Sequence, residues 1–221
     1  MSILYCTIPH FAAALARRDD PRLDGRPLVL IDPEGRVLDV SSEAAACGIF
    51  PGLTARAAEV RCPEARLLDA DVARYRRMFE RLLQLLERDS PQVEPHGWGA
   101  AYVEMGDAAR RYQTGVRCCQ HVGRAVRREL GQALQPALGG DSTKFTAQAA
   151  ARRTHAGHLR AVEVQEERTF LRPLPVTLLP LPGDSLRRLG FLGVRTLGQY
   201  AALPVTAVGL QFGRAGQMAH R

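Results

Sequence analysis

Lysine is nearly missing from this 221-residue chain: Lys144 stands alone beside 29 arginines. A coding bias toward arginine accounts for that preference and carries no function by itself. Long apolar runs are missing too. None approaches the roughly 20 consecutive residues that a membrane helix needs, which argues against a spanning protein. The opening Met1-Ser2-Ile3-Leu4-Tyr5 has neither a basic region nor a cleavage site. No secretory signal is therefore expected, and the cytoplasm is the expected compartment. Cysteines are few, odd in number and scattered: Cys6, Cys47, Cys62, Cys118 and Cys119. A bridge between adjacent Cys118 and Cys119 would be strained inside a helix-like stretch, so buried reduced thiols are expected. Cys118, Cys119 and His121, or His155 and His158, lack a second ligand pair at zinc-site spacing, so no metal is expected there.

Acidic residues are scarce in one half only. Residues 111–221 carry 16 basic and 6 acidic groups, whereas residues 1–110 carry 14 and 17. The whole net charge of +7 therefore comes from the second half. Coding bias explains arginine over lysine but not this segregation, which points to a polyanion, nucleic acid above all.

Residues 2–8 read as a short buried strand ended by Pro9, followed by an Ala-rich helix over about 10–18. Two β-like runs, 27–32 and 36–40, flank Asp32-Pro33-Glu34-Gly35, a hairpin turn signal. Ser42 is positioned to cap a short helix stopping at Gly48, and Thr54 another running to about Arg61. From Asp71, the apolar stripe Val72, Tyr75, Phe79, Leu82, Leu83 and Leu86 marks the clearest helix, which ends before Ser90-Pro91. Strands are expected at 92–96, 100–105, 135–138 and 159–164, with helices at 112–130 and 142–153. From about Phe170, Leu-Pro pairs punctuate the chain, which predicts short helices rather than long ones. The pattern alone implies a sheet covered on one side and then a small all-α module.

Several stretches, in order, resemble the Y-family (translesion, UmuC-like) DNA polymerases. Arg18 to Val29 resembles the family's R-x-x-P-x-L-x-G-x-P-x-V. Glu43-Ala44, Gly48 to Leu53, Ala57 and Arg61-Cys62-Pro63 resemble the fingers motif. The helix from Asp71 with Tyr75, the Gln92-Val93-Glu94-Pro95 run, Ala101-Tyr102, and the thumb-like Leu192 to Gly198 with Ala202-Leu203-Pro204 complete the series. The resemblance implies an α+β fold: a ferredoxin-like palm sheet with helices at about 1–10 and 76–169, small fingers at 11–75, and an all-α thumb with a degenerate helix-hairpin-helix at 170–221. A little finger is not contained in this chain, either because it is a fragment or because that domain is absent.

Nucleotidyl transfer uses two divalent ions about 4 Å apart, and the family holds them with an Asp in D-x-D-x-F-F and the Asp-Glu of S-x-D-E-x-Y. By resemblance Cys6 takes the first position, Ile8 that of the second acid, and Gly99 and Ala100 those of the hairpin acids. A thiol is a poor Mg²⁺ ligand, and Gly and Ala offer none. The family's phosphate-binding Tyr and Arg of Y-E-A-R correspond to Ser42 and Ala45, beside an intact Glu43-Ala44. Phe11, at the sugar-gate position, and Lys144 are retained. These vacancies resemble the ImuB-like subgroup and imply a non-catalytic protein without a metal cofactor. It would bind primer-template DNA independently of sequence, or would scaffold an error-prone replicative-type polymerase and a RecA-like partner in damage-induced mutagenesis. Lys144, Arg187, Arg188 and Arg195 are the expected DNA contacts, because Pro180, Leu181 and Pro182 fall on the family's G-x-G hairpin and remove N–H donors. Glu94, Glu104 and Asp107 lie near the palm hairpin without an arrangement expected to converge. The alternative is an active error-prone polymerase using Mg²⁺ at a rebuilt site. A third reading drops DNA for an acidic protein partner.

Overall fold

The computed structural model describes residues 2–106 and 114–220, which fall into two compact units, Met1–Ala161 and Val162–Arg221. In the first unit, β1 (Ile3–Thr7) alternates its side chains as a central strand must. Leu4 and Cys6 enter one core, while Tyr5 joins a second on the opposite face. Antiparallel neighbours flank it, β6 (Ala100–Glu104) on one side and β7 (Ala137–Asp141) on the other. Edge strands β5 (Val93–Pro95) and β8 (Leu159–Ala161) complete a sheet of order β5-β6-β1-β7-β8, in which only β7 and β8 are parallel.

The apolar stripe of α4 (Val72–Glu87), through Leu82, Leu85 and Leu86, packs with Cys118, Cys119, Val122 and Val126 of α5 (Gly115–Leu130) against Leu4, Cys6, Ala101 and Val103. This large core follows the helical periodicity read from residues 71–86. The expectation of a sheet covered on one side is corrected: α6 (Lys144–Arg152) covers the other face. Gly139 makes this possible. A Cβ there would lie 2.0 Å from the Ala147 carbonyl oxygen and 2.5 Å from the Ala151 nitrogen, so only glycine lets the helix backbone approach so closely.

The turn at Asp32–Gly35 forms as its residues predict. Asp32 Oδ1 accepts the Arg36 N–H at 2.7 Å, and Gly35 takes a left-handed φ of 75°. It joins β2 (Leu28–Ile31) to β3 (Val37–Val40). β4 (Arg66–Asp69), which sequence reading did not assign, adds parallel to β2, giving a second sheet of order β3-β2-β4. Only Leu67 and Leu68 stand between its charged ends, too few for alternation to register. α1 (Phe11–Asp19), α2 (Ser42–Ala46) and α3 (Ala55–Arg61) complete this unit. The cap of α2 is Ser41 rather than Ser42: its hydroxyl is fully buried and accepts the Ala44 N–H. Thr54 and Asp71 cap α3 and α4 as expected.

The second unit holds α7 (Glu167–Leu171), α8 (Gly183–Phe191), α9 (Leu197–Ala201) and α10 (Val205–His220) around Leu189, Val194, Leu197, Tyr200 and Val208. Its first helices are short, as the prolines dictate. α10 is itself two short helical segments, because Gly213, with φ 63° and ψ −158°, is not helical and breaks it. The fold class is α+β. Among the described residues, no helix is long and apolar enough to cross a membrane.

Candidate active site

At the open end of β1 the chain turns sharply. Ile8 N–H donates to Gly99 O at 2.9 Å, tying this turn to the β6 hairpin, and His10 adopts a left-handed φ of 53°. α1 then begins without a side-chain cap from His10. The cap comes from β3: Asp39 Oδ2 accepts the N–H groups of Ala12 at 2.8 Å and Ala13 at 3.3 Å. Burial pushes the Asp39 carboxyl up from its ordinary value, against the opposing pull of backbone donors at Val40, Ala13 and Ala12 and of nearby His10. Thr7, His10, Phe11, Asp39, Tyr75 and Trp98 are among the walls of a cleft of about 170 Å³.

Phe11 is buried, and its ring meets Phe79 edge-on at 6.3 Å; Phe79 in turn meets Trp98 at 6.1 Å. The Phe11 ring also lies on Gly99. A Cβ at 99 would fall 2.7 Å from it, and the residue holds φ 71°. A side chain at 99 therefore has no room while Phe11 stays in place.

The register sets the three expected ligand positions next to one another where β1 meets the β6 hairpin, but it turns Cys6 and Ala100 to opposite faces of the sheet. Cys6 packs with Ala101 under α4 and α5, whereas Ala100 packs with Tyr5 and Tyr102 under α6, on the other face of the sheet. Burial, with Cys119 adding to it, pushes the Cys6 thiol up to about 12, so it is protonated at neutral pH. Of the cleft's lining residues, Asp39 alone offers a carboxylate. A divalent ion pair needs several oxygen ligands, and this donor set does not fit one.

Ser42 and Ala45 are exposed on α2. Glu43 between them is engaged: Arg17 Nη2 donates to it at 2.7 Å and also holds the Arg26 carbonyl at 2.9 Å. Against the cost of desolvation, Arg17 and the Ser41 hydroxyl hold the Glu43 carboxyl down at about 2. Lys144 lies on the far face of the sheet, ion-paired with Glu94 and 5.4 Å from the Tyr102 ring centre. Glu94, Glu104 and Lys144 border a separate groove of about 290 Å³, so neither glutamate joins Asp39 in the cleft. Asp107 lies outside the described residues. In the second unit, Arg187, Arg188 and Arg195 are exposed, and Arg187 pairs with Asp184 in the first turn of α8. Pro182 precedes that helix and Gly183 opens it.

Sequence reading missed Asp39 and the Arg17–Glu43 bond. The one signal for Asp39 was an acid set between Leu38 and Val40 in a β-run, where an exposed strand face reads the same.

The architecture is that of the Y-family DNA polymerases. Solved DinB from Sulfolobus solfataricus matches with a TM-score of 0.87 and 20% identity, over 99% of this chain and 65% of its own. An insertion ternary complex of Dbh DNA polymerase matches at 0.84 and 18%, over 99% and 65%. The chain belongs to the impB/mucB/samB family, whose family model matches residues 6–152. Two curated relatives are each named DNA polymerase IV. That of Pelotomaculum thermopropionicum is 27% identical over 99% of this chain and 55% of its own length; that of Ralstonia nicotianae is 28% identical over 99% and 62%. The chain thus spans under two thirds of these relatives.

These comparisons overturn the expectation of a non-catalytic protein. The relatives aligned along 99% of the chain are named as enzymes. The expectation of no metal cofactor is corrected on the same ground, since enzymes of that name carry out a metal-assisted class of reaction.

Proposed function

We propose that this chain is the palm, fingers and thumb portion of an error-prone translesion DNA polymerase, working on primer-template DNA with divalent ions held by other groups than Cys6, Gly99 and Ala100. The observation that carries the proposal is the alignment of 99% of the chain with enzymes named DNA polymerase IV. The cleft where β1 meets the β6 hairpin supports it. In this reading residues 1–10 and 76–169 form the palm, 11–75 the fingers and 170–221 the thumb.

The chain's own groups have distinct tasks. Phe11 and Trp98, both in edge contact with Phe79, give a nucleotide an apolar surface in the cleft. Asp39 fixes the start of α1, and with it the position of Phe11. Arg187, Arg188 and Arg195 supply phosphate contacts that position DNA without reading its sequence. Lys144 adds another once its pairing with Glu94 opens. By resemblance, an error-prone replicative-type polymerase and a RecA-like protein would meet this chain at damaged DNA, which co-purification of the defined proteins tests.

Primer extension by the purified protein tests the central claim. Template-directed incorporation that depends on added Mg²⁺ or Mn²⁺ is expected. Tight primer-template binding with no incorporation under either ion would overturn it. Fluorescence anisotropy across a salt series measures the DNA contacts separately, and each arginine removed should lower the salt slope by about 1.

A further inference from the structure

The three-stranded sheet carries a second cluster of ligand atoms, none of which lines the cleft. Cys47 closes the C-terminus of α2, its N–H bonding back to Glu43 and Ala44. Cys62 closes α3 in the same way through Ala58. The chain then turns at Pro63-Glu64, with Ala65 N–H returning to Cys62 O at 2.9 Å before β4 begins. These two helix ends and one turn bring the sulfurs of Cys47 and Cys62 and a carboxylate oxygen of Glu64 within 4.8 Å of one another.

We propose that Cys47, Cys62 and Glu64 bind one thiolate-favouring divalent ion of the zinc class, a site distinct from any ion of the polymerase reaction.

Simple core packing accounts for a buried cysteine such as Cys62, which lies in an apolar cluster with Val29, Val40, Ile49 and Ala58. It does not require a carboxylate oxygen of exposed Glu64 to stand within 4.8 Å of both sulfurs, as one does here. Zinc takes sulfur at about 2.3 Å and carboxylate oxygen at about 2.0–2.2 Å in a tetrahedron. Such donors stand roughly 3.3–3.8 Å apart, so side-chain adjustment of about 1 Å closes the present spacing. Two sulfurs and one oxygen select zinc over magnesium or calcium. The graded exposure fits an open site: Cys62 is buried, Cys47 half-buried and Glu64 exposed, which leaves the fourth position to water. Arg61, the adjacent cation, is held over the Phe50 ring at 5.6 Å. A bound ion would tie the ends of α2 and α3 together, making metal binding part of this small sheet's stability.

Cobalt titration of chelator-treated protein under reducing conditions tests the site without reading polymerase activity. One Co²⁺ per chain should give thiolate-to-cobalt charge transfer and the visible bands of a tetrahedral ion, both discharged by Zn²⁺. Cys47→Ser, at a half-buried position and close in size, should abolish the charge-transfer band and weaken binding by about 100-fold or more. Glu64→Gln should weaken it by about 10-fold. His158→Ala, on an exposed histidine elsewhere, should change nothing. The proposal is overturned if the thiolate band never forms, if it survives in Cys47→Ser, or if it is lost in His158→Ala. Disappearance of two thiols without metal, marking a disulfide, would overturn it too.

Discussion

α1 and α6 both begin where strands of the five-stranded sheet end, yet they are fastened in different ways. Thr143 caps α6 from the position just before it, its hydroxyl accepting the Thr146 N–H at 3.2 Å. α1 is capped by Asp39, 27 residues along the chain from Ala12. α6 presses its backbone onto Gly139, whereas α1 rests a side chain, the Phe11 ring, on Gly99. Main-chain contacts cannot move without moving the helix; side-chain contacts can. The α6 face of the sheet is therefore fixed by backbone, while the cleft end is held by groups that substitution can change and that rotamer changes can open.

Gly139→Ala should have the largest effect. Its methyl group would meet two backbone atoms of α6, with no rotamer to relieve it, so a cost above about 3 kcal/mol is expected. That is enough to leave much of the chain unfolded in chemical denaturation. Gly99→Ala should cost less, about 2 kcal/mol, divided between the left-handed backbone and displacement of the Phe11 ring. Adding Phe11→Ala should relieve the steric share, so the double variant should be about 1 kcal/mol more stable than the sum of the single effects implies. Equal costs at the two glycines, or strict additivity, would break the distinction between a fixed and an adaptable end.

The same distinction explains what the sequence disclosed. Thr54, Asp71 and the stripe of α4 were legible because cap and partner lie within a few residues and packing repeats every three or four. The hairpin turn was legible because Asp32 and Gly35 carry its geometry locally. β4 was hidden, since parallel pairing with β2 depends on a partner more than 30 residues away. The second covered face depended on Gly139, one residue whose meaning lies entirely in what packs on it. At the candidate site, motif resemblance pointed to Phe11, Cys6, Gly99 and Ala100, of which Phe11 lines the cleft. It could not show that Cys6 and Ala100 face opposite ways, or that Asp39 closes the start of α1, because both follow from strand register. The Cys47–Cys62–Glu64 cluster escaped for the same reason: its ligands converge only after two helices fold.

The caps themselves give the next measurement. Asp39→Ala removes the acceptor of two α1 N–H groups and of the Val40 N–H and should cost about 2 kcal/mol; Thr143→Ala removes one neutral cap and should cost about 1 kcal/mol. For a chain of this size, each 1 kcal/mol lowers Tm by about 2–4 °C. Reversal of that order would mean that α1 is held mainly by Phe11, with Asp39 incidental.

The smallest effect is a difference in acid response between two carboxylates that both touch the α1 region. Glu43 is held down at about 2 by Arg17, below its ordinary 4.5. Its contribution is therefore present above 4.5 and lost as pH falls toward 2. Asp39 is raised above its ordinary 3.8 by burial. The folded state then binds its proton more tightly than the unfolded state does, so its contribution is fully present below 3.8 and is lost as pH rises through the raised value. Denaturation of wild type, Glu43→Gln and Asp39→Asn between neutral pH and about 3 separates the two, because general acid destabilisation cancels in each difference. The gap between wild type and Glu43→Gln should shrink on acidification, while that between wild type and Asp39→Asn should move in favour of wild type. If both gaps shrank together, the two N–H bonds to Asp39 would outweigh its burial, and the start of α1 would be an anion site already satisfied by the protein's own charge.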